Sequence, residues 1–355
     1  MERETPPDLR GRVVVVTGGA GFLGMHLVRT LLEEEPELKE LRVLDLEGPK
    51  ELQHPDPRVQ WLRGDVGDAE AVGRALRGAD VVFHCAGKVG VGEGTPPGEL
   101  GRVNVQGTLN VLAGCRSGGV KVLIYTSSME VVGPNARGDP FLRGEEQTPY
   151  PVRHSHPYGR SKAQAERRVL EGNGMEVFGG GSLVSLSLRP TGIYGEGDPL
   201  LARIYREGKA RGWLPHTLPP NAEHGRVYVG NVSWLHLLAA RSALSRPELL
   251  GGEVFFCSDF SPFLPYDVFN FRLLGLPLGG HFLPRFLLLL WAHLNSFLTR
   301  FLPHYCPLLT PRTLALASAP FTVRSSKAQR LLGYRPRYSW EEARERTWKW
   351  SRSLV

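Results

Sequence analysis

The chain has few cysteines, no block of like charges and no apolar run at its start, and each absence excludes a class of protein. The four cysteines among 355 residues have neither paired nor metal-ligand spacing, which argues against a disulfide scaffold or zinc site and favours a reducing compartment: Cys85, Cys115, Cys257 and Cys306. The net charge of +7 is dispersed, without zinc-finger spacing or a basic helix, so nucleic acid is not an expected partner. Residues 1–7 carry no apolar run, and we expect no cleaved secretory signal.

What is present is the composition of a folded globular protein. Hydrophobic residues make up 41% of the chain and charged residues 22%, values that exclude a disordered chain. A chain of 355 residues is long enough for one large domain or two closely packed ones. Its mild basicity suits an anionic cofactor or an anionic membrane surface.

The first motif is a glycine triplet between a predicted strand and a predicted helix. Residues 13–16 are four valines, as in a parallel strand buried on both faces, and residues 22–34 have a helical pattern. Between them, Gly18, Gly21 and Gly24 permit a tight turn, close approach to a pyrophosphate and close helix packing. The start of the helix then offers unpaired N–H groups to phosphates, so the motif predicts a bound dinucleotide.

An acid follows the glycines at the distance expected for a dinucleotide site. Asp45 ends the predicted second strand, residues 41–45, where a carboxylate accepts both adenosine ribose hydroxyls and repels a 2′-phosphate. This favours NAD over NADP, the alternative being a solvated aspartate at a strand end. Arg42 is close in sequence but, on a strand, is poorly placed to hold that phosphate.

Strands and helices continue to alternate through the first half of the chain. Further strands are predicted at residues 81–87, 120–125 and 183–188, a spacing typical of a doubly wound parallel sheet. We therefore predict an α/β protein with a Rossmann-like NAD-binding domain at residues 1–190. A smaller substrate-binding lobe, residues 191–355, is expected to be partly interwoven with the sheet.

The residues predicted to react are a serine, a tyrosine and a lysine. Ser128 follows the fifth strand, and ligands bind at the carboxyl ends of such strands. Tyr158 and Lys162 are four residues apart in a predicted helix, so both side chains lie on one face. A tyrosine that acts as a base near neutral pH needs its pKa lowered by ~3 units, equivalent to ~4 kcal/mol. Lys162 and a positive nicotinamide ring would supply that shift, while Ser128 holds a substrate hydroxyl.

The same elements define the rest of the predicted cofactor site. Asp65 follows the third strand and is placed to bind the adenine amino group, and small residues after the fourth strand let the cofactor pass. No metal site is predicted, because His84 lacks partner ligands nearby in the sequence. The predicted cofactor-binding residues are Gly18, Gly21, Phe22, Leu23, Gly24, Asp45, Asp65, Val66, Ala86, Lys162 and Pro190.

Longer segments of the chain resemble the extended short-chain dehydrogenase/reductases, and within them the 3β-hydroxysteroid dehydrogenase/isomerase family. The resemblance extends over essentially the whole chain and is carried by residues 125–135 (YTSSMEVVGPN), 188–197 (LRPTGIYGEG), 226–232 (RVYVGNV) and 338–342 (YSWEE). It implies a dehydrogenase in which Ser128, Tyr158 and Lys162 oxidise the 3β-hydroxyl of a delta-5 sterol with NAD. The similarity is greatest to the bile-acid branch, whose members act on 7α-hydroxylated twenty-seven-carbon sterols, at Met129, Thr191, Gly192 and residues 223–226.

The resemblance also implies a second reaction, in which the double bond moves from the delta-5 to the delta-4 position once the 3-ketone exists. That step needs a group that removes a proton beside the carbonyl and returns it further along the ring. Glu130 and Asp259 are the candidate carboxylates, and each also has a purely structural interpretation. Members that make steroid hormones often carry paired acids near Asp259, whereas this chain has Ser258 and Phe260 on either side.

An apolar segment in the second half predicts contact with a membrane. Residues 285–302 lie between two prolines, and a helix of that length would span ~27 Å, close to the ~30 Å of a bilayer core. His293, Ser296 and Arg300 form a polar stripe, which favours a helix lying in the interface over a spanning helix. A buried helix beside the sterol is the third alternative. The resemblance implies the endoplasmic reticulum membrane, with the active domain facing the cytosol, and leaves a homodimer open.

We therefore expect an NAD-dependent 3β-hydroxy-delta-5-steroid dehydrogenase, with coupled isomerisation, that acts on a 7α-hydroxycholesterol-type sterol in bile-acid synthesis. The alternatives among enzymes are a dehydrogenase of steroid-hormone synthesis, a sterol 4-carboxylate 3-dehydrogenase and a nucleotide-sugar epimerase, whose polar substrate suits the apolar segment poorly. A non-catalytic dinucleotide-binding sensor or scaffold is the alternative outside the enzymes. Such a protein would usually lose Tyr158 or Lys162, and both are present.

Overall fold

The computed structural model describes most of the chain. The described residues are 8–48, 56–89, 96–135, 137–154, 156–279, 284–299, 301–302, 305 and 307–354, with the backbone alone at Pro97, Arg285 and Arg312. The predictions made for residues 1–7, for Arg300 and for Cys306 therefore lie outside the described residues.

Strands and helices alternate along the chain as the sequence predicts. The strands are β1 Val13–Thr17, β2 Glu40–Asp45, β3 Val59–Arg63, β4 Val81–His84, β5 Val122–Thr126, β6 Phe141–Gly144, β7 Val184–Pro190, β8 Gly192–Tyr194, β9 Leu214–Pro215, β10 Arg226–Tyr228, β11 Val254–Cys257, β12 Leu278–Gly279 and β13 Phe321–Val323. The helices are α1 Phe22–Glu34, α2 Ala69–Leu76, α3 Pro97–Leu100, α4 Gly107–Gly118, α5 Pro157–Glu171, α6 Pro199–Arg211, α7 Val229–Ser245, α8 Pro247–Leu250, α9 Tyr266–Leu274, α10 Arg285–Leu298, α11 Pro311–Ser318, α12 Ser326–Leu332 and α13 Trp340–Arg352. A π-helical stretch, Gly101–Gln106, joins α3 to α4, and a 3₁₀ turn, Met129–Val131, follows β5.

Seven parallel strands form the central sheet in the order β11-β7-β5-β4-β1-β2-β3. The prediction of a doubly wound parallel sheet is confirmed. The order reverses between β1 and β4, and ligands bind beyond the carboxyl ends of the strands at such a reversal. The valines of β1 are buried on both faces, which is why this strand has no polar alternation.

Helices cover both faces of the sheet and bury two separate layers of apolar side chains. One layer includes Leu27 and Leu31 of α1 with Leu235 and Leu238 of α7. The other is formed by α2, α4 and α5 against the opposite face, with Val72, Val111 and Val169 among its members. Because α7 comes from the second half of the chain, the substrate lobe contributes directly to the core of the cofactor domain.

The second half of the chain is interwoven with the sheet rather than separated from it. β11 pairs with β7 and becomes the seventh strand, which the sequence pattern past Leu200 did not reveal. Three further parallel pairs, β8 with β10, β9 with β12 and β6 with β13, build the lobe above the carboxyl ends of the central strands. The β8 strand follows β7 after one residue, so this lobe begins at the edge of the cofactor site.

The apolar segment forms a shorter helix than the sequence predicts. α10 has 14 residues, which corresponds to about 21 Å of helix. Among the described residues, no helix combines the length and apolar character needed to cross a bilayer. The predicted polar stripe is also not fully solvent-facing, because Ser296 is partly buried and its hydroxyl has no hydrogen-bond partner among the described residues.

Replacement by alanine is predicted to lower the free energy of unfolding at one helical glycine, Gly24, and to raise it at another, Gly73. A Cβ at Gly24 would lie 2.1 Å from the carbonyl oxygen of Gly18, so Gly24→Ala forces the glycine loop and α1 apart. We expect a loss of about 3 kcal/mol of unfolding free energy, at the upper end for overpacking, and loss of dinucleotide binding.

At Gly73 of α2 a Cβ meets no atom within 4 Å, so Gly73→Ala is expected to stabilise the chain by about 0.5–1 kcal/mol. Thermal unfolding of both variants checks this, and equal effects would contradict the close packing at Gly24.

Candidate active site

The glycine loop between β1 and α1 has the geometry of a phosphate site. Gly18 has a φ of +72°, and a Cβ there would lie 2.6 Å from the backbone of Ala86. Gly21 caps α1 without any side-chain hydrogen bond, so the N–H groups of the first turn are not satisfied by a capping side chain. The loop therefore fits a pyrophosphate, with N–H donors and the positive end of the helix dipole directed at it.

Asp45 lies beside this loop, as the sequence predicts. Its carboxylate accepts hydrogen bonds from the N–H groups of Ala20 at 2.9 Å and Glu47 at 3.1 Å, which leaves acceptor positions for ribose hydroxyls. Arg42, which the sequence places poorly for a phosphate, already has partners within the protein. Its guanidinium binds the carboxylate of Glu40 at 2.9 Å and the carbonyl oxygen of Ala75 at 3.1 Å.

Asp65 has a partner that the sequence did not suggest. Its carboxylate accepts from the N–H of Gly67 at 2.8 Å and from Arg102 at 2.6 Å. Burial raises the pKa of Asp65, but these two hydrogen bonds outweigh it and the pKa is lowered, so the carboxylate is ionised. Asp65 thus connects the end of β3 to the π-helical stretch, and its contact with adenine stays a prediction.

The predicted Ser–Tyr–Lys set meets at the carboxyl end of β5. Tyr158 and Lys162 lie on the buried face of α5, with exposed fractions of 8% and 5%. The Nζ of Lys162 donates to the carbonyl oxygen of Thr126 at 2.8 Å, which fixes α5 against the end of β5. Ser128 follows two residues later and caps the 3₁₀ turn by accepting from the N–H of Glu130 at 3.2 Å. The prediction that one helix face carries both side chains is confirmed.

The electrostatics of the pair differ from the expectation that Lys162 lowers the pKa of Tyr158. Burial, and next the carboxylate of Glu130, raise the pKa of Tyr158, while a hydrogen bond from Ser128 opposes the shift. Burial also lowers the pKa of Lys162 to about 8, against the opposing influence of Cys85 and Glu166. In this environment desolvation outweighs the attraction between phenolate and ammonium. The phenol therefore needs further positive charge before it ionises near neutral pH.

An asparagine missed by the sequence reasoning supports this helix. Asn104, in the π-helical stretch, donates to the hydroxyl of Ser161 at 2.9 Å and accepts from the N–H of Lys88 at 2.7 Å. Ser161 in turn donates to the carbonyl oxygen of Tyr158 at 2.8 Å. Nothing local distinguishes Asn104 in the sequence, because the same stretch also contains the polar residues Arg102 and Gln106.

His84 joins the glycine loop to the segment that carries Asn104. Thr108 donates its single hydroxyl proton to the carbonyl of Asn104 at 2.7 Å, so its oxygen accepts from Nε2 of His84, 3.0 Å away. Nδ1 of His84 is then the acceptor for the hydroxyl proton of Thr17 at 2.7 Å. Burial lowers the pKa of His84 to about 3, so the ring is neutral. Within the described residues, no group of three or more potential metal ligands is present.

The two carboxylates considered for proton transfer occupy different surroundings. Glu130 lies close enough to Tyr158 and to Tyr266 for its charge to contribute to raising the pKa of each phenol, after the larger effect of burial. Asp259 instead accepts hydrogen bonds from the N–H of Tyr228 at 2.9 Å, the side chain of Asn231 at 2.8 Å and the N–H of Ser261 at 2.9 Å. Asp259 therefore connects segments of the second lobe, while the charge of Glu130 acts on Tyr158.

The remaining predicted cofactor residues lie near the carboxyl ends of central strands or at the start of α1. Pro190 is buried at the end of β7, and Val66 is buried beside α4. The N–H of Ala86 donates to the hydroxyl of Thr17 at 3.3 Å, which places the end of β4 against the glycine loop. Phe22 packs edge-on against His26, with ring centroids 5.8 Å apart, while Leu23 packs against the core of the second lobe.

One family model and several known proteins are similar to this chain. The model of the 3-beta hydroxysteroid dehydrogenase/isomerase family matches residues 15–281. Human 3 beta-hydroxysteroid dehydrogenase type 7 is 52% identical over 95% of each chain, and the vaccinia virus (strain Ankara) 3 beta-hydroxysteroid dehydrogenase/Delta 5-->4-isomerase is 40% identical over 95% of this chain and 98% of its own. Among solved structures, the NAD complex of UDP-glucose 4-epimerase from Thermus thermophilus is 27% identical, with a TM-score of 0.69, over 96% of this chain and 99% of that chain.

The position of Glu130 predicts a shift in the pH dependence of any reaction that needs ionised Tyr158. Because the negative charge of Glu130 raises the pKa of Tyr158, Glu130→Gln should move the acidic limb of the kcat/KM profile to lower pH. Ser128→Ala should move it to higher pH, since that hydrogen bond lowers the pKa.

The matched control is Glu70→Gln, which removes an exposed carboxylate of α2 and should leave the pH profile unchanged. An acidic limb that stays in place in both Glu130→Gln and Ser128→Ala would show that Tyr158 is not the titrating base.

Proposed function

The chain belongs to the 3-beta hydroxysteroid dehydrogenase/isomerase family, and we propose that it oxidises the 3β-hydroxyl of a delta-5 sterol to the ketone with NAD. The observation that carries the proposal is the meeting of Ser128, Tyr158 and Lys162 at the end of β5, beside a glycine loop shaped for a pyrophosphate. A sensor or scaffold would have no use for a buried tyrosine and lysine on one helix face.

The residues around the crevice fit NAD. The loop at Gly18 and Gly24 leaves no room for a Cβ, so the backbone comes as close to a bound phosphate as possible, and Asp45 supplies acceptors for ribose hydroxyls. The negative charge of Asp45 disfavours the 2′-phosphate of NADP. When bound, NAD accepts the hydride that leaves the carbinol carbon.

The chain's own residues handle the proton. Ser128 holds the substrate hydroxyl, and Tyr158 removes its proton as the carbon–hydrogen bond breaks. Lys162 uses one of its three N–H donors on the carbonyl of Thr126, so two remain to hold a ribose hydroxyl and to favour the tyrosinate. Because burial opposes ionisation of Tyr158, this positive charge matters most while the crevice is closed to water.

We assign the isomerisation to Glu130 rather than to Asp259. The charge of Glu130 acts on Tyr158, whereas that of Asp259 acts on Tyr194 and Tyr334. The Glu130→Gln variant should therefore accumulate the delta-5 ketone without conjugated product. If Asp259→Asn loses isomerisation selectively, without a fall in thermal stability, this assignment is wrong.

The sterol proposed is of the 7α-hydroxycholesterol type, as in bile-acid synthesis. Support comes from the resemblance at Met129 and residues 223–226 and from the 52% identity to a relative named type 7. The alternatives are a shorter steroid of hormone synthesis and a sterol 4-carboxylate. Each keeps the same chemistry at Tyr158 and differs in what the second lobe accepts.

We also propose that α10 lies in a lipid interface, at the cytosolic side of the endoplasmic reticulum membrane. Its inner face packs through Leu288 against Leu314 of α11, while its outer face exposes Phe286, Leu290 and Trp291 at 68%, 67% and 60%. Exposed apolar groups on one helix face suit an amphipathic helix that enters the headgroup region. A sterol substrate would then enter from the bilayer beside the lobe.

Turnover of sterols tests the proposed reaction. The wild-type chain should reduce NAD with 7α-hydroxycholesterol in preference to pregnenolone and dehydroepiandrosterone. Tyr158→Phe should lower kcat by about 10²- to 10⁴-fold while dinucleotide binding persists, because the variant loses only the proton acceptor.

The matched control for that variant is Tyr334→Phe, at a buried tyrosine whose hydroxyl has no hydrogen-bond partner among the described residues. It should retain full activity. A preference for the shorter steroids would indicate an enzyme of steroid-hormone synthesis. If none of the three sterols is turned over although NAD binds, the result would support a non-catalytic sensor.

Membrane binding is tested by flotation with anionic vesicles. The double variant Leu290→Glu/Trp291→Glu should reduce the fraction of protein bound to vesicles by about tenfold or more. Binding of this variant no longer transfers two apolar side chains from water into the bilayer. Phe178→Glu is the matched control, since Phe178 is 77% exposed but lies outside α10, and it should bind as the wild type does. Equal binding by both variants would rule out α10 as the contact.

A further inference from the structure

Arg226, at the start of β10, is a buried guanidinium without an anionic partner. Only 7% of the residue is exposed, and its Nε is buried with no hydrogen bond. Among the described residues the guanidinium forms neither a hydrogen bond nor an ion pair with the protein. It is surrounded by aromatic rings instead, 5.0 Å from the centroid of Tyr266 and 4.8 Å from that of Phe269.

Two partly buried arginines among the described residues are paired, in contrast to Arg226. Arg189 binds the carboxylate of Glu166 through Nε at 2.9 Å, and Arg241 binds that of Glu35 at 2.7 Å. Asp198 lies near Arg226, but its carboxylate caps α6 and forms no ion pair with the guanidinium. A buried charge without a partner is unfavourable, so a ligand atom that accepts from Arg226 would complete its surroundings.

An unpaired acceptor stands two residues away along the chain. Nε2 of His224 lies 3.0 Å from the carbonyl oxygen of Ala317, and a carbonyl only accepts, so Nε2 carries the hydrogen. Nδ1 is therefore an acceptor, and it is buried without a partner among the described residues. Burial lowers the pKa of His224 to about 4, so the ring is neutral. Its ring packs on the same Tyr266, with centroids 4.4 Å apart.

This cluster lies in the second lobe, beside the strand that follows the end of β7. Arg226 pairs across to Gly192 in β8, the strand that follows the end of β7. Burial is the largest cause of the raised pKa of Tyr266. The positive charge of Arg226 lowers this pKa, and the negative charge of Glu130 raises it. The charge of Glu130 also acts on Tyr158, so the same carboxylate influences both phenols.

We propose that Arg226 and His224 form a subsite for a second hydroxyl group of the substrate, distinct from the hydroxyl that is oxidised. A hydroxyl both accepts from the guanidinium and donates to Nδ1 of His224, whereas a ketone or carboxylate satisfies only the arginine. The proposal rests on the proposed oxidation of a sterol. It makes the second lobe select sterols by their oxygenation and not only by their shape.

The test compares kcat/KM for cholesterol, 7α-hydroxycholesterol and 25-hydroxycholesterol, which differ only in the second hydroxyl. The wild-type enzyme should prefer one dihydroxy sterol to cholesterol by about 10- to 100-fold, the range for a buried hydrogen bond to a charged group. Arg226→Met and His224→Phe should each bring that ratio close to one, and Arg226→Lys should keep part of it. Arg211→Met, at an exposed arginine over Trp213, should leave the ratio unchanged.

Thermal unfolding of the same variants separates binding from a structural role. Arg226→Met should raise Tm, because it removes an unpaired buried charge, while it lowers substrate discrimination. A lower Tm with an unchanged preference, or a wild-type enzyme indifferent to the second hydroxyl, overturns the subsite. If no sterol is turned over, both the proposed function and the subsite are wrong. If sterols are turned over but the ratio of kcat/KM for the dihydroxy sterol to that for cholesterol is the same in wild type and Arg226→Met, only the subsite is wrong.

Discussion

One buried ammonium group organises the centre of the molecule. Lys162 is almost entirely removed from solvent, and a buried charge is unfavourable unless polar groups surround it. Its Nζ donates to the carbonyl of Thr126, and the hydroxyl of Thr126 hydrogen-bonds His236 of α7, 2.8 Å away on the other face of the sheet. The carboxyl end of β5 is thereby held from both faces. The same strand end leads into Ser128, so the need to satisfy one cation also helps to position the serine proposed to hold the substrate hydroxyl.

A second charge on α5 explains why this cation is tolerated. Glu166 stands one turn beyond Lys162, so Tyr158, Lys162 and Glu166 follow each other at four-residue spacing on one face. Glu166 opposes the lowering of the Lys162 pKa by burial, and it is itself held by Arg189 and by the hydroxyl of Ser187 at 2.7 Å. The helix is thus fixed to β7 by a buried ion pair and to β5 by a lysine. Breaking either contact would leave an uncompensated charge in the core.

How far the sequence predicted this site depended on how local each signal is. The glycine spacing, Asp45 and the pair Tyr158 and Lys162 act through neighbours in the chain, and their placement agrees with the structure. β11 was missed because a four-residue apolar run shows no partner strand, and the length of α10 was overestimated because apolar content does not mark a helix end. Asn104 and Arg226 could not be assigned, since their surroundings come from elements far away in sequence. Asp259 was ambiguous for the same reason.

The two halves of the chain meet different physical demands. In the cofactor half, the carboxylates of Asp45 and Asp65 already have protein partners, and the buried groups that lack one there are the neutral hydroxyls of Tyr125 and Ser127. Around Tyr266 the situation is reversed, because His224 and Arg226 bury polar atoms that have no partner among the described residues, as does Asn270 one turn further along α9. Each such group costs about 1–3 kcal/mol, which a fold selected for stability alone would remove. His224 and Arg226 both contact the ring of Tyr266, which supports the subsite proposed there, and a ligand hydroxyl bound to them would add stability.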